Sequence, residues 1–207
     1  MKLILRVSIY LSFLIGGGHE LSARTTSFLP NSFNADFSQV IRSSVSGTEK
    51  KMKGKIDYRY PGHLWFEATH PDKIIFVSNP KKSWYYIAPW DEEEPGELTI
   101  SVTNKNSLVK FFDLLKKGLK SNSHYSVSKK DKGMELILSK ENQKGIGILS
   151  AYLEFKGDKS FKNISTVILT KNDKSKVRLV LNKIVINPGF KEGHFVFKAP
   201  KNTRVSQ

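Results

Sequence analysis

Period-two alternation of apolar and polar residues runs through most of this chain and restricts its fold more than any other feature. Successive side chains of a strand point to opposite faces, so alternation marks strands with one buried face. Phe33, Ala35 and Phe37 alternate with Asn34, Asp36 and Ser38. Ser46-Gly47-Thr48 supplies a turn, and Met52 to Tyr60 reads as the returning strand of a hairpin. Pro61-Gly62, Pro71-Asp72 and Asn79-Pro80 punctuate the next strands: His63 to Thr69, Lys73 to Ser78 and the aromatic-rich Ser83 to Ala88. An acidic loop, Pro89 to Pro95, carries Asp91, Glu92, Glu93 and Glu94 before alternation resumes over Glu97 to Thr103.

The period then changes. Leu108, Phe111, Phe112, Leu115 and Leu119 are three or four residues apart, which places them on one face of a helix. Asp113 and Lys117 have the stabilising i, i+4 spacing, and Gly118 stands near the helix end. Further strands are predicted near His124–Lys129, Met134–Ser139, Ile148–Phe155, Phe161–Thr170, Lys176–Asn187 and His194–Phe197, with Gly, Asp and Asn turns between them. Ten or more strands with short turns form a large antiparallel sheet, which must close or be covered because bare edges recruit other chains. A mid-chain amphipathic helix is a natural cover for an open barrel. Pattern alone does not separate a fixed plug from a movable lid, or a cavity wall from a packed sheet core.

The first residues have the order of a secretory signal peptide: Lys2 and Arg6, the apolar run Val7 to Ile15, then Leu21-Ser22-Ala23. Cleavage after Ala23 would leave residues 24–207 as a single domain; an uncut N-terminal anchor is the competing reading. The apolar run is shorter than the roughly 20 residues a bilayer-spanning helix needs. The sequence contains no cysteine, which excludes thiol catalysis, disulfides and a Cys-linked lipid anchor. The formal net charge is +15, a field that favours anionic surfaces. Lysine spread along the chain supplies most of it, whereas base readout leans on arginine, so nucleic acid is not the expected partner. A solvated lysine surface and a membrane-facing role both fit.

Catalytic motifs are absent. His63, His70, His124 and His194 are scattered without metal-ligand spacing, and no nucleophile elbow, His-Glu-x-x-His or phosphate-cradling loop occurs. No metal or cofactor is expected. The acidic run lacks the spacing and glycine turn of a calcium loop and reads as solvated.

Phe33, Ala35, Phe37 and Gln39, followed by Gly54, Pro61, Leu64 and Phe66, then Pro71-Asp72 before Ile74-Ile75, and Val77-Ser78 leading to Trp84, Tyr86 and Pro89, fall in the order seen in one family. Phe195, Phe197 and Pro200 extend the pattern toward the end. The chain resembles the periplasmic outer-membrane lipoprotein carrier family LolA. The resemblance implies a mainly β fold, an incomplete, half-open antiparallel barrel of about ten or eleven strands with a helical lid. It further implies a monomeric, non-enzymatic periplasmic chaperone for acylated lipoproteins, with an inner-membrane releasing complex and an outer-membrane receptor as partners. Phe37, Leu64, Phe66, Ile75, Trp84 and Tyr86 are the expected cavity wall, and Leu108, Phe111, Phe112 and Leu115 the expected lid face. The family commonly has an arginine before the proline matched here by Pro61; this chain has Tyr60, with Arg59 one place earlier as the candidate latch. The Asp-Gly turn usual after Val-Ser is here Asn79-Pro80, and the segment before Phe33 is too short for the family's first helix. The alternative on the same fold is a carrier or sensor of free lipid or glycolipid. A hydrolase acting on envelope polymers is a third class.

Overall fold

A computed structural model describes residues 27–42, 46–91, 93–102 and 106–206. The signal-peptide reading of Met1–Ala23 lies outside the described residues. In chain order the elements are β1 (Ser32–Arg42), β2 (Glu49–Arg59), β3 (His63–His70), β4 (Ile74–Ser78), β5 (Ser83–Ile87), β6 (Gly96–Ser101), α1 (Ser107–Leu115), β7 (Tyr125–Lys130), β8 (Gly133–Leu138), α2 (Lys140–Ile146), β9 (Ile148–Phe155), β10 (Ile164–Lys171), β11 (Lys176–Ile186) and β12 (Thr203–Ser206). The strands form one sheet in the order β12-β6-β5-β4-β3-β2-β1-β11-β10-β9-β8-β7. Every neighbouring pair is antiparallel except β12 and β6, which run parallel. This is the mainly β, open-barrel architecture expected, with twelve strands among the described residues rather than ten or eleven.

Four local expectations are corrected. His194–Phe197 makes no strand; it crosses the outer face of the sheet, and the final strand is Thr203–Ser206. Phe161–Asn163 is one turn of 3-10 helix ahead of β10. A second helix, α2, lies between β8 and β9, capped by the Ser139 hydroxyl at its start and closed by Gly147 at φ 79°. Finally, α1 ends at Leu115 with Lys116 as its cap, so Leu119 is not on the helix.

Two apolar clusters sandwich the sheet. On the concave side Phe33, Ala35 and Phe37 of β1, Ile56 and Tyr58 of β2, Leu64 and Ala68 of β3, and residues of β8 to β11 pack around Val109, Phe111, Phe112 and Leu115 of α1. On the convex side Ile75, Val77, Trp84, Tyr86 and Leu98 are covered by Phe195 and Phe197 from the C-terminal segment. Sequence parity produces this division, because neighbours along one strand take opposite faces.

Strands β2 and β3 approach closely at Gly54. A Cβ there would stand 1.8 Å from the Glu67 carbonyl oxygen, and the pairing register shifts at that point, between Lys53 and Gly54. Gly54 is paired with Phe37 on β1 and Ala68 on β3. Since it has no side chain, the rings of Phe37 and Phe66 meet across β2 with centroids 4.2 Å apart.

Candidate functional site

The turns β1–β2, β3–β4, β5–β6 and β10–β11 lie at one end of the barrel, by the antiparallel order of the strands. α1 begins at this end, and a cavity of about 400 Å³ opens there. Its wall comes from Leu64 and Phe66 of β3, Ile74 and Phe76 of β4, Tyr85 of β5, Met52 of β2, Leu169 of β10, and Val177 and Leu179 of β11. Leu108 reaches in from the first turn of α1. The other half of the concave face is filled: Phe33, Tyr58 and Phe112 form a three-ring cluster with centroids 5.2 to 5.4 Å apart. The barrel is therefore packed toward one end and hollow toward the other.

Of the residues expected to wall a cavity, the structure brings Leu64 and Phe66 to it and places Phe37 behind Phe66 as a stacked, buried support. Ile75, Trp84 and Tyr86 are elsewhere, on the convex face beneath Phe197. The reason is parity: Ile75 pairs with Tyr86 and Val77 with Trp84, whereas the cavity side of the same hairpin holds Ile74, Phe76 and Tyr85. Those three were missed, because both faces of β4 and β5 are apolar and alternation does not say which turns inward. Of the helix residues, Leu108 touches the cavity, while Phe111, Phe112 and Leu115 are buried in the adjoining core.

Among the described residues no hydrogen bond or ion pair joins Arg59 to α1. Tyr58 points inward, so Arg59 points outward, and its guanidinium lies over the Phe195 ring, 5.0 Å from the centroid. The helix is held instead by its own acid. Asp113 Oδ1 accepts the Tyr58 hydroxyl at 2.5 Å and the Gly62 N–H at 3.0 Å. Lys116, just past the helix, donates to the Leu29 carbonyl at 2.9 Å and to Asn31 Oδ1 at 2.8 Å. The Tyr125 hydroxyl donates to the Gly118 carbonyl at 2.5 Å. At the cavity end Asn106 Oδ1 caps α1 by accepting from the Leu108 and Val109 N–H groups at 2.9 and 3.2 Å. There the Ser107 hydroxyl donates to the Ile146 carbonyl, tying α1 to α2. No sequence motif marks Tyr58 and Asp113 as a pair, since they are distant in the chain and meet only when the sheet curls.

Burial first, and then the hydrogen bond and charge of Asp113, push the Tyr58 phenol far above its ordinary value of 10.0. A group with a raised folded-state value contributes its stability below the unfolded value and loses it as pH rises beyond. The protein should therefore weaken between about pH 8 and pH 10.5, where the unfolded phenol ionises and the buried one does not. Urea midpoints at the two pH values check this. Tyr58→Phe should lose less across the same interval, and an equal loss in both proteins would show that the Tyr58 proton is not held.

The convex face carries a separate aromatic arrangement. His194 stacks on Phe190 at 4.7 Å and bonds through Nε2 to Asp57 Oδ2 at 2.8 Å, and Trp65 tilts against it. These contacts fix the C-terminal segment over β2 and β3. Burial lowers the His63 value; its ring meets the edge of Phe195. Among the described residues no group of three or more His, Asp or Glu side chains is placed to hold a metal, and no helix is long and apolar enough to cross a membrane.

The sequence profile of the family described as outer membrane lipoprotein carrier protein LolA matches residues 30–198. The chain belongs to the LolA family. An outer-membrane lipoprotein carrier protein from Idiomarina loihiensis is 24% identical over 178 residues, covering 84% of this chain and 80% of the relative. A protein of the same description from Sodalis glossinidius is 27% identical over 84 residues, 37% of this chain and 41% of that relative. Among solved structures, an uncharacterized conserved protein from Thermus thermophilus matches with a TM-score of 0.50 at 10% identity, covering 86% of this chain and 91% of that one. Within the LolA match fall β1 to β11, both helices and the C-terminal segment to Lys198, while β12 lies past it.

Proposed function

We propose that the chain is a periplasmic, non-enzymatic carrier of acylated lipoproteins. In this reading residues Met1–Ala23 direct export and are removed. The cargo comes from an inner-membrane releasing complex and passes to an outer-membrane receptor, its acyl chains reversibly buried on the way. The observation that carries the reading is a half-hollow barrel whose apolar cavity shares one wall with an amphipathic helix.

Energetics favour such an exchange. Val109, Phe111, Phe112 and Leu115 are buried, and at about 1.5–3 kcal/mol per side chain their burial stabilises the closed helix by about 6–12 kcal/mol. An acyl chain gains about 0.8 kcal/mol per buried methylene, so roughly 8–15 methylenes balance the helix. Chains that enter the space α1 fills thus compete with it on nearly even terms, and neither occupant holds irreversibly. A methylene fills about as much space as a water molecule, about 30 Å³, so the present cavity takes roughly a dozen of them, or one chain. A second or third chain needs the volume that Phe111, Phe112 and Leu115 now fill. In this reading α1 is a lid, with Asp113 and Tyr58 as its latch.

Native mass spectrometry with lipid analysis of the protein purified from its own periplasm tests the proposal. Co-purified acylated proteins are the expected result. Free phospholipid or glycolipid alone would replace lipoprotein with the free-lipid reading, and a protein that takes up no acylated ligand even when offered one would overturn the carrier.

A further inference from the structure

The cavity has a charged rim. Its lining includes two lysines, Lys50 and Lys171, and no acid; its remaining residues with polar side chains are Gln39, Tyr85, Asn106 and Ser107. Register places both lysines at the mouth. Lys50 pairs with Ile41, Ile41 with Val177 and Val177 with Leu169, and Lys171 stands two residues beyond Leu169 on the same face. The two stems rise from the sheet three strand spacings apart, about 14 Å, and flexible lysine stems reach inward from both sides. Lys50 is exposed and Lys171 half-buried. Among the described residues neither is in an ion pair within 4.0 Å; the nearby Asp173 feels the Lys171 charge, but its carboxylate accepts the Ser175 hydroxyl and N–H.

Below this rim the walls are apolar and the volume suits one acyl chain. Together these features describe a site for an amphiphile with negative charge next to its chain. We infer that the mouth selects a lipid headgroup of net negative charge, with Lys50 and Lys171 as its contacts and the chain against Phe66 and Leu108. The inference rests on the reading that the cavity takes an acyl chain and goes beyond the lipoprotein cargo: it adds an anionic lipid as a second occupant of the same cavity. Charge at a solvated rim is weak per pair and screened by salt, so discrimination is moderate and depends on ionic strength.

Matched single-chain probes test it: myristoyl lysophosphatidylglycerol against myristoyl lysophosphatidylcholine, titrated into the full mature protein at low and at high salt. The expected result is about tenfold tighter binding of the anionic probe at low salt, shrinking as salt rises. In the double variant Lys50→Gln/Lys171→Gln the two probes should bind within about twofold of each other, with phosphatidylcholine-probe affinity unchanged. Both positions are at the rim rather than in the core, and unchanged binding of the zwitterionic probe reports an intact cavity. Equal affinity in the unsubstituted protein would overturn the headgroup inference and leave the cavity standing. A preference that survives the double substitution would overturn the assignment to these lysines. Failure of both probes to bind would overturn the cavity reading itself.

Discussion

Phe66→Glu is expected to lower affinity for a single-chain amphiphile by at least about a hundredfold, roughly 2.7 kcal/mol, while the barrel stays folded. Phe66 is half-buried, lines the hollow part of the barrel and stacks on Phe37 at 4.2 Å. A carboxylate there is tolerated while the cavity is wet. Once a chain enters, that carboxylate must lose its water, while the cavity's two lysines, Lys50 and Lys171, stand at the mouth rather than on the apolar wall beside it, and such burial costs several kcal/mol. Displacement of a fluorescent fatty acid measures the affinity, and a urea midpoint measured alongside reports the fold. Phe66→Leu keeps the wall apolar and should bind within a few-fold of the unsubstituted protein. If the glutamate variant, still folded, bound as tightly, the chain would not lie against β3. Phe37 is the poorer position for this experiment, since it is 2% exposed and a charge there strikes the fold itself.

The second large effect is on stability alone. Gly54→Ala should cost about 3–5 kcal/mol, more than most single substitutions in a domain of this size. Its Cβ would stand 1.8 Å from the Glu67 carbonyl oxygen, 2.7 Å from that carbonyl carbon and 2.9 Å from the Ala68 Cα. All three are backbone atoms of β3, so no side chain can swing aside; the two strands must part. Parting them also separates Phe37 from Phe66. Thermal unfolding should move down by about 10 °C or more at this chain length. A loss below about 1 kcal/mol would show that the register shift at Lys53 absorbs a methyl group without opening the β2–β3 ladder.

Much of the fold was legible because alternation is a local property. β1 to β6 and β7 to β11 were placed to within a few residues, and the helix over Leu108 to Leu115 stood out by its change of period. What was missed depends on distant partners. Lys140–Ile146 has only one buried residue, so it carries no apolar stripe; its readable marks were a capping Ser139 and a closing Gly147. Thr203–Ser206 is mostly exposed, and its extended form comes from the Gly96–Thr99 edge beside it. The inner wall was half read for a related reason. Leu64 and Phe66 share one face of β3 and line the cavity, but on β4 and β5 the apolar residues of odd and even number compete. The deciding contact comes from Phe195 and Phe197, more than a hundred residues downstream. Likewise Arg59 attracted notice by proximity to Pro61, while the bond that holds α1 comes from its neighbour Tyr58, which parity turns inward.

The sheet ends at β12 on one side and β7 on the other, and these two strands do not pair with each other. In a closed barrel, strand number and stagger together fix the diameter. This sheet has no such closure condition, so its circumference is set by what fills it: side chains of α1 at one end, a hollow at the other. Because β12 and β7 share no ladder, widening the gap between them breaks no rung of the sheet. On β7, one lip of that seam, Lys129 is an exposed edge charge and Lys130 pairs with Glu135 of β8 at 3.1 Å, and lysine on an edge strand works against pairing with a second chain.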